Sequence, residues 1–297
     1  MSAGAPAAWL PGAIAPADGG LTSVVIIAAD SGDGLADCVA RVLDNPLPME
    51  VIVADNASRD GSITRVAQLH AQNESVRIFH NEKNLGFGAA CNRAAALARG
   101  DALLFLNPDC LIETDTIARL RAVAAGDARI GLIGALQLDA QGRVDAASRR
   151  RDPLLLRALA SFSGLARLAS RWPALGGVAM PALPACSLAT RNSASEPVEA
   201  VDAISGALMF LPRAAFERVS GFDEGYFLHC EDLDLCRRVR DAGLRVVCAT
   251  ALRVAHAKGG SSRRRPLFVA WHKHRGMWRW FVKFDASAHN PLLRALV

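Results

Sequence analysis

The chain is predicted to fold as an α/β protein. Short apolar runs alternate with amphipathic segments, which is the pattern of strands alternating with helices. With 297 residues and 51% hydrophobic content, the chain can bury a large core in one domain or in two closely fused halves. Several apolar runs also end abruptly in polar clusters, and open α/β sheets collect ligands at the carboxyl ends of their strands.

Residues 1–20 are rich in Ala, Pro and Gly and lack the basic start and continuous apolar core of a secretory signal, so a disordered leader is expected. The first strand is expected from Ser23 to Ala28, followed by Ala29, Asp30 and an acidic Gly-rich turn. The second, Val51 to Ala54, opens onto Asp55-Asn56-Ala57-Ser58-Arg59-Asp60. Turn formation and helix capping explain Ser58 and Asp60 and extend to Asn56. Asp55 is left over at the strand mouth, where it could accept hydrogen bonds from a pyrimidine or ribose. The third strand, Val76 to Phe79, precedes Asn81 to Asn92, whose small residues let backbone approach a ligand. Gly86-Phe87-Gly88 is no dinucleotide fingerprint, because Cys91 stands where the third glycine belongs.

The fourth strand, Ala102 to Leu106, stops at Asn107-Pro108-Asp109. Hard divalent cations such as Mg²⁺ or Mn²⁺ bind through one or two carboxylates plus substrate phosphates, a demand that Asp109 meets. A Pro-Asp turn before a helix near Thr114 explains the same tripeptide equally well. After a strand at Leu132 to Leu138, the stretch from about Ala146 to Val198 shows no firm strand and reads as an insertion or a flexible acceptor-side segment. Its uncharged run, Trp172 to Thr190, is interrupted by Pro173, Gly176, Gly177, Pro181 and Pro184, so a membrane-spanning helix is not expected there. Further strands are expected at Ala207 to Leu211 and Arg245 to Cys248.

Between those two strands lies a helix that begins in acid and ends in base, with Gly243 as its cap. Five carboxylates, Asp223, Glu224, Glu231, Asp232 and Asp234, exceed what capping requires. A carboxylate general base is the sharper reading, with Asp232 first and Glu231 second. Downstream, His256 beside a Gly-rich basic loop is either structural or a ligand. The seven cysteines form no CxxC pair, lack zinc spacing, and read as small buried residues in a reducing compartment.

The net charge of +5 conceals a basic C-terminal end, since Arg253 to Val297 holds ten Lys or Arg against Asp285. Trp271 to Phe284 mixes aromatics with cations, as does a helix lying on a membrane surface or one packed on its own domain. No motif for reading nucleic acid accompanies the charge, so no nucleic-acid partner is expected.

Six pieces in order complete a pattern: Thr22 to Ile27, Val53-Ala54-Asp55-Asn56-Ala57-Ser58, Asn84-Leu85-Gly86-Phe87-Gly88, Leu106-Asn107-Pro108-Asp109, Ser205-Gly206-Ala207 and Glu231 to Arg237. Over roughly Leu21 to Ser262 the chain resembles family 2 of the inverting glycosyltransferases, with the GT-A nucleotide-diphospho-sugar fold. The resemblance implies a mixed central sheet flanked by helices, a nucleotide-binding half at about 21–140 and an acceptor half at about 198–262, followed by a basic aromatic C-terminal helix or tail at 263–297. It implies a nucleotide-sugar site at Asp30, Asp55, Asn84, Gly86, Phe87, Asn92, Asn107 and Gly206, a divalent metal on Asp109 and His256, and Asp232 as base beside Glu231. Where the family commonly carries Thr-Tyr-Asn, this chain has Ala28-Ala29-Asp30 and so lacks that aromatic.

Asn-Pro-Asp in place of the commoner Asp-X-Asp, His256 and the basic tail together resemble rhamnosyltransferases of surface-polysaccharide assembly. That implies transfer of L-rhamnose from dTDP-rhamnose to a hydroxyl of a glycan or lipid-linked glycan, in the cytoplasm or on the inner face of its membrane. The alternatives are a nucleotidyltransferase acting on sugar phosphates, or a hexosyl or N-acetylhexosaminyl transferase of the same family. The acidic turn after the first strand disfavours the nucleotidyltransferase.

Overall fold

The computed structural model describes residues 20–164, 176–181, 183, 196–256 and 265–289. The leader up to residue 19, most of the uncharged run and the Gly-rich basic loop at 257–264 lie outside the described residues. The first half alternates strands and helices: β1 (Thr22–Ala28), α1 (Gly34–Leu43), β2 (Met49–Asp55), α2 (Ser62–Leu69), β3 (Val76–His80), α3 (Phe87–Leu97) and β4 (Ala102–Leu106). Then come β5 (Cys110–Leu111), α4 (Thr116–Gly126), β6 (Ile130–Leu138), α5 (Leu155–Phe162), β7 (Val198–Ala200), β8 (Leu208–Pro212), α6 (Arg213–Arg218), α7 (Glu231–Asp241), β9 (Arg245–His256) and α8 (Pro266–Phe284).

Nine strands form one mixed sheet in the order β3-β2-β1-β4-β8-β6-β9-β5, with β7 also on β9. Strands β3, β2, β1 and β4 are parallel, as their helical connections require, whereas β8 runs antiparallel to β4. Side chains alternate between faces along each strand. Val25 and Ile27 therefore join Leu103 and Phe105 in one core, while Val24 and Ile26 join Leu104 and Leu106 in the other. A sheet buried on both faces explains why these strands read as continuous apolar runs.

All seven expected strands are present. Two short ones, β5 and β7, were not expected, because two or three residues carry no periodicity. Strand β9 runs on to His256, past a register shift against β6 that breaks its pattern.

The described part of the 146–198 segment is built into the domain. Arg150 exchanges backbone hydrogen bonds with Ala203 at 2.8 and 2.9 Å, and the Arg151 N–H donates to Val178 at 2.7 Å. The tail helix α8 buries Gly276, Trp280 and Phe281, and ties itself down through Arg279 to Asp223 and through Lys283 to Asp223 and Asp234. Leu267, Trp271, Trp278 and Val282 stay exposed along its other side. The six described cysteines are buried and unpaired with one another.

Candidate active site

A cavity of about 760 Å³ opens at the mouths of β1 and β2. Its wall includes Asp30, Asn56, Arg59, Lys83, Asn84, Gly86 and Phe87, with Phe227, Leu228, Arg265 and Phe268 arriving from the far half. Asn56 organises it: its Nδ2 donates to Asn84 Oδ1 and the Gly86 carbonyl at 3.2 and 3.1 Å, while its Oδ1 accepts from Asn81 Nδ2 and the Leu85 N–H. Gly86 has φ +84°, and a Cβ there would collide with the carbonyl of Phe227. Glycine lets the donor-side loop lie directly against the segment leading to α7, where Phe87 N–H donates to that same carbonyl at 3.0 Å.

Asp30, itself in a left-handed conformation, accepts from the Arg59 N–H at 2.7 Å, joining the β1 and β2 mouths. Asp55 sits behind this wall, accepting from the Ser58 N–H at 2.8 Å and pairing with His80 Nδ1 at 2.9 Å. Asp60 accepts from Gly32 N–H and from Ser62, so its carboxylate stitches two turns; these bonds outweigh burial and lower its pKa.

Asp109 follows β4 and leads straight into β5, whose Cys110 pairs in register with His256. That short ladder sets His256 Nε2 3.2 Å from Asp109 Oδ1. The third potential donor, Cys110, is spent otherwise: its thiol donates to the Ala207 carbonyl at 3.4 Å, and burial first, then Asp109's charge, pushes its pKa well up. One carboxylate and one imidazole with an unpartnered buried Nδ1 fit a hard divalent cation completed by phosphate oxygens and water.

The five-carboxylate cluster divides into separate tasks. Asp223 and Asp234 neutralise Arg279 and Lys283 of α8, and Asp234 also accepts from Arg238 Nε at 2.5 Å. Against the opposing cost of burial, those cations bring Asp223 down to about 2. Glu224 accepts from Asn92 Nδ2 at 2.9 Å. Glu231 and Asp232 remain at the first turn of α7, after two residues, His229 and Cys230, held at φ +67° and +71°. Such left-handed residues cluster where structure is over-determined for a task.

Glu231 is buried with Oε2 unpartnered, and burial, reinforced by the charge of Asp232, pushes its pKa up to about 8. Asp232 is the ionic partner of Arg150: its Oδ2 accepts from Arg150 Nη2 at 2.5 Å and from Gly206 N–H at 3.0 Å, while Oδ1 accepts from Leu233 N–H at 2.8 Å.

Of the expected residues, Asp30, Asn84, Gly86 and Phe87 line the cavity, and Gly206 abuts Asp232. Asn107 shapes the turn, its N–H donating to Ala207 and its carbonyl accepting from Cys110 N–H. Asn92 lies apart, bonded to the backbone of Phe222 on both sides of its amide. Sequence reasoning missed Arg59, Lys83 and Arg150 and treated Asn56 as a cap. Arg59 and Lys83 were legible as cations beside strand mouths, whereas Arg150 carried no signal within an unpatterned segment.

A family model described as glycosyl transferase family 2 matches residues 23–173. An N-acetylglucosaminyl-diphospho-decaprenol L-rhamnosyltransferase of Mycobacterium tuberculosis (strain ATCC 25618 / H37Rv) is 30% identical over 298 residues, covering 91% of this chain and 92% of the relative. Rhamnosyltransferase WbbL of Escherichia coli (strain K12) is 28% identical over 179 residues, 58% of this chain and 60% of that protein. Among solved structures, GalNAc-T7 with UDP, GalNAc and Mn²⁺ aligns with TM-score 0.60 at 19% identity, over 80% of this chain but 44% of its own. The mannosyltransferase PcManGT from Pyrobaculum calidifontis, in complex with GDP-Man and Mn²⁺, aligns with TM-score 0.59 at 17% identity over 93% of this chain and 67% of its own. These likenesses establish the GT-A glycosyltransferase fold. With that fold, the matched family model and a full-length relative at 30% identity, the chain belongs to glycosyltransferase family 2.

Proposed function

We propose that the protein is an inverting rhamnosyltransferase, moving L-rhamnose from dTDP-rhamnose onto a hydroxyl of a lipid-linked glycan. The observation that carries this reading is the Asp109–His256 pair at the end of β4, in a domain that also holds a cavity at the β1 and β2 mouths and Asp232 in the first turn of α7. The mycobacterial relative, similar over nearly its whole length, supports the choice of sugar and of a diphosphate-lipid acceptor. Arg59, Lys83 and Arg265 on the cavity wall offer cations to the donor's diphosphate. Asp30 and Asn84 offer polar contacts to the nucleoside.

The reaction is a single in-line displacement. The acceptor oxygen attacks the anomeric carbon and gives its proton to Asp232. The bond from that carbon to the diphosphate breaks, and the electron pair leaves with the nucleoside diphosphate. Asp109 and His256 would hold a divalent cation whose charge balances the departing diphosphate. We further assign residues 21–140 to the donor half, 198–262 to the acceptor half and the 146–198 segment to the acceptor side.

Among the described residues no helix is long and apolar enough to cross a membrane. On this reading the enzyme works from the cytoplasm on a lipid-linked acceptor, with the outer face of α8 resting on the inner leaflet.

The test is nucleoside diphosphate release from a panel of thymidine- and uridine-diphospho-sugars, with a GlcNAc-diphospho-lipid acceptor and a divalent cation. Release dependent on acceptor and cation, and greatest with dTDP-rhamnose, is expected. A clear preference for a uridine donor would overturn the assignment of rhamnose.

A further inference from the structure

Arg150 occupies a position that the proposed chemistry does not yet explain. Its neighbours diverge: Arg149 turns away to Glu199 and the Pro181 carbonyl, at 2.5 and 2.6 Å. Arg150 is pinned by its backbone to Ala203, and one guanidinium nitrogen, Nη2, donates both to the Ile204 carbonyl and to Asp232 Oδ2, each at 2.5 Å. The side chain is thus anchored to the strand segment that also supplies the Gly206 N–H. Two donors fixed to one wall thus hold Asp232 Oδ2. Oδ1 accepts from the Leu233 N–H at 2.8 Å, and a carboxylate oxygen has room for a second bond.

The pairing matters because two carboxyl groups, Glu231 and Asp232, stand side by side. Among the described residues, the titratable groups around Asp232 are Glu231, Cys230 and His229 on its own turn, Cys236 one turn along α7, and Arg150 from the 149–151 segment. Lys273 and His272 of α8 act on the same turn through His229. Of these, Arg150 is the cation in direct contact with Asp232. Glu231 is the buried one of the two, and its pKa is pushed up, whereas the cation touches Asp232.

We infer that Arg150 is the positioning residue of the general base, clamping Asp232 Oδ2 to the sheet and presenting Oδ1 to the acceptor hydroxyl. This rests on Asp232 being the base. In the step itself, the acceptor proton passes to Oδ1 while Arg150 remains bonded to Oδ2.

The experiment compares R150Q, R150K and D232N with the parent enzyme, recording kcat, the donor KM, and donor binding by calorimetry. D232N should bind donor and release no nucleoside diphosphate; if it still turned over, the base assignment itself would fall. With D232N inactive, R150Q should lose about 10- to 100-fold in kcat with the donor KM little changed, the size expected when a reacting group is misplaced. R150K, which restores the cation without the guanidinium fork, should recover only part of that loss. A merely structural arginine would lower stability and donor binding together with kcat. An R150Q enzyme with the parent kcat, or one whose kcat and donor binding fall together, would therefore overturn the role of Arg150 and leave the base assignment standing.

Discussion

Asp109 and His256 test the single-carboxylate metal site most directly, because the β5–β9 ladder sets their two side chains 3.2 Å apart. Asp109→Ala and His256→Ala should each raise the divalent-cation concentration needed for half-maximal activity by about tenfold or more, the scale on which single changes at metal sites act. An unchanged cation requirement in both would dismiss the site. Glu231 yields a second expectation. Folding favours its protonated form, so the stabilisation is complete below the ordinary carboxylate value of 4.5 and is lost as pH rises through about 8. Between pH 5 and 9, Glu231→Gln should therefore show a smaller fall in Tm than the parent, read by calorimetry. An identical slope would mean that Glu231 ionises freely. The five acids from Asp223 to Asp234 also mark where sequence reading stopped. Their excess over capping needs was visible, but their division among Arg279, Lys283, Asn92 and Arg150 depends on partners 49 to 132 residues away.

At the scale of elements, the donor and base regions meet through Gly86. Gly86→Ala forces a side chain against the Phe227 carbonyl and into a left-handed backbone, and overpacking of this kind costs roughly 1–3 kcal/mol. Denaturant unfolding should show that loss, accompanied by weaker donor binding. Full stability with normal binding would refute the close approach. The parallel strands and their polar mouths were legible because period and strand-end chemistry are local properties. Strand β5 was not, although it brings Asp109 to His256, since two residues held by a ladder to β9 leave no trace in hydrophobic pattern. The 149–151 segment was illegible for the same reason: its pairing with residues 178 and 203 is wholly non-local.

For the whole molecule, charge and exposed apolar surface coincide on α8. Leu267, Trp271, Trp278 and Val282 line one side, with Arg275 and His274 beside them. Aromatic side chains at an interface, supported by cations, bind anionic lipid more strongly than zwitterionic lipid. Co-sedimentation with anionic vesicles should be clear for the parent and largely lost in Trp271→Ser/Trp278→Ser, with the melting temperature little changed because both side chains face outward. Equal sedimentation of parent and variant would show that the helix does not dock.

The inner side of α8 has a different consequence. Arg279 and Lys283 neutralise acids flanking α7, and Gly276 lies so close that a Cβ would stand 2.8 Å from the His229 carbonyl, just ahead of Glu231 and Asp232. A ribosome finishes β9 before it makes this helix. A chain cut after residue 256 would thus lack Arg265 and Phe268 of the cavity wall as well as the counter-charges of the acids around α7. The cavity wall and the setting of α7 therefore both depend on the α-helix that the ribosome makes last among those described.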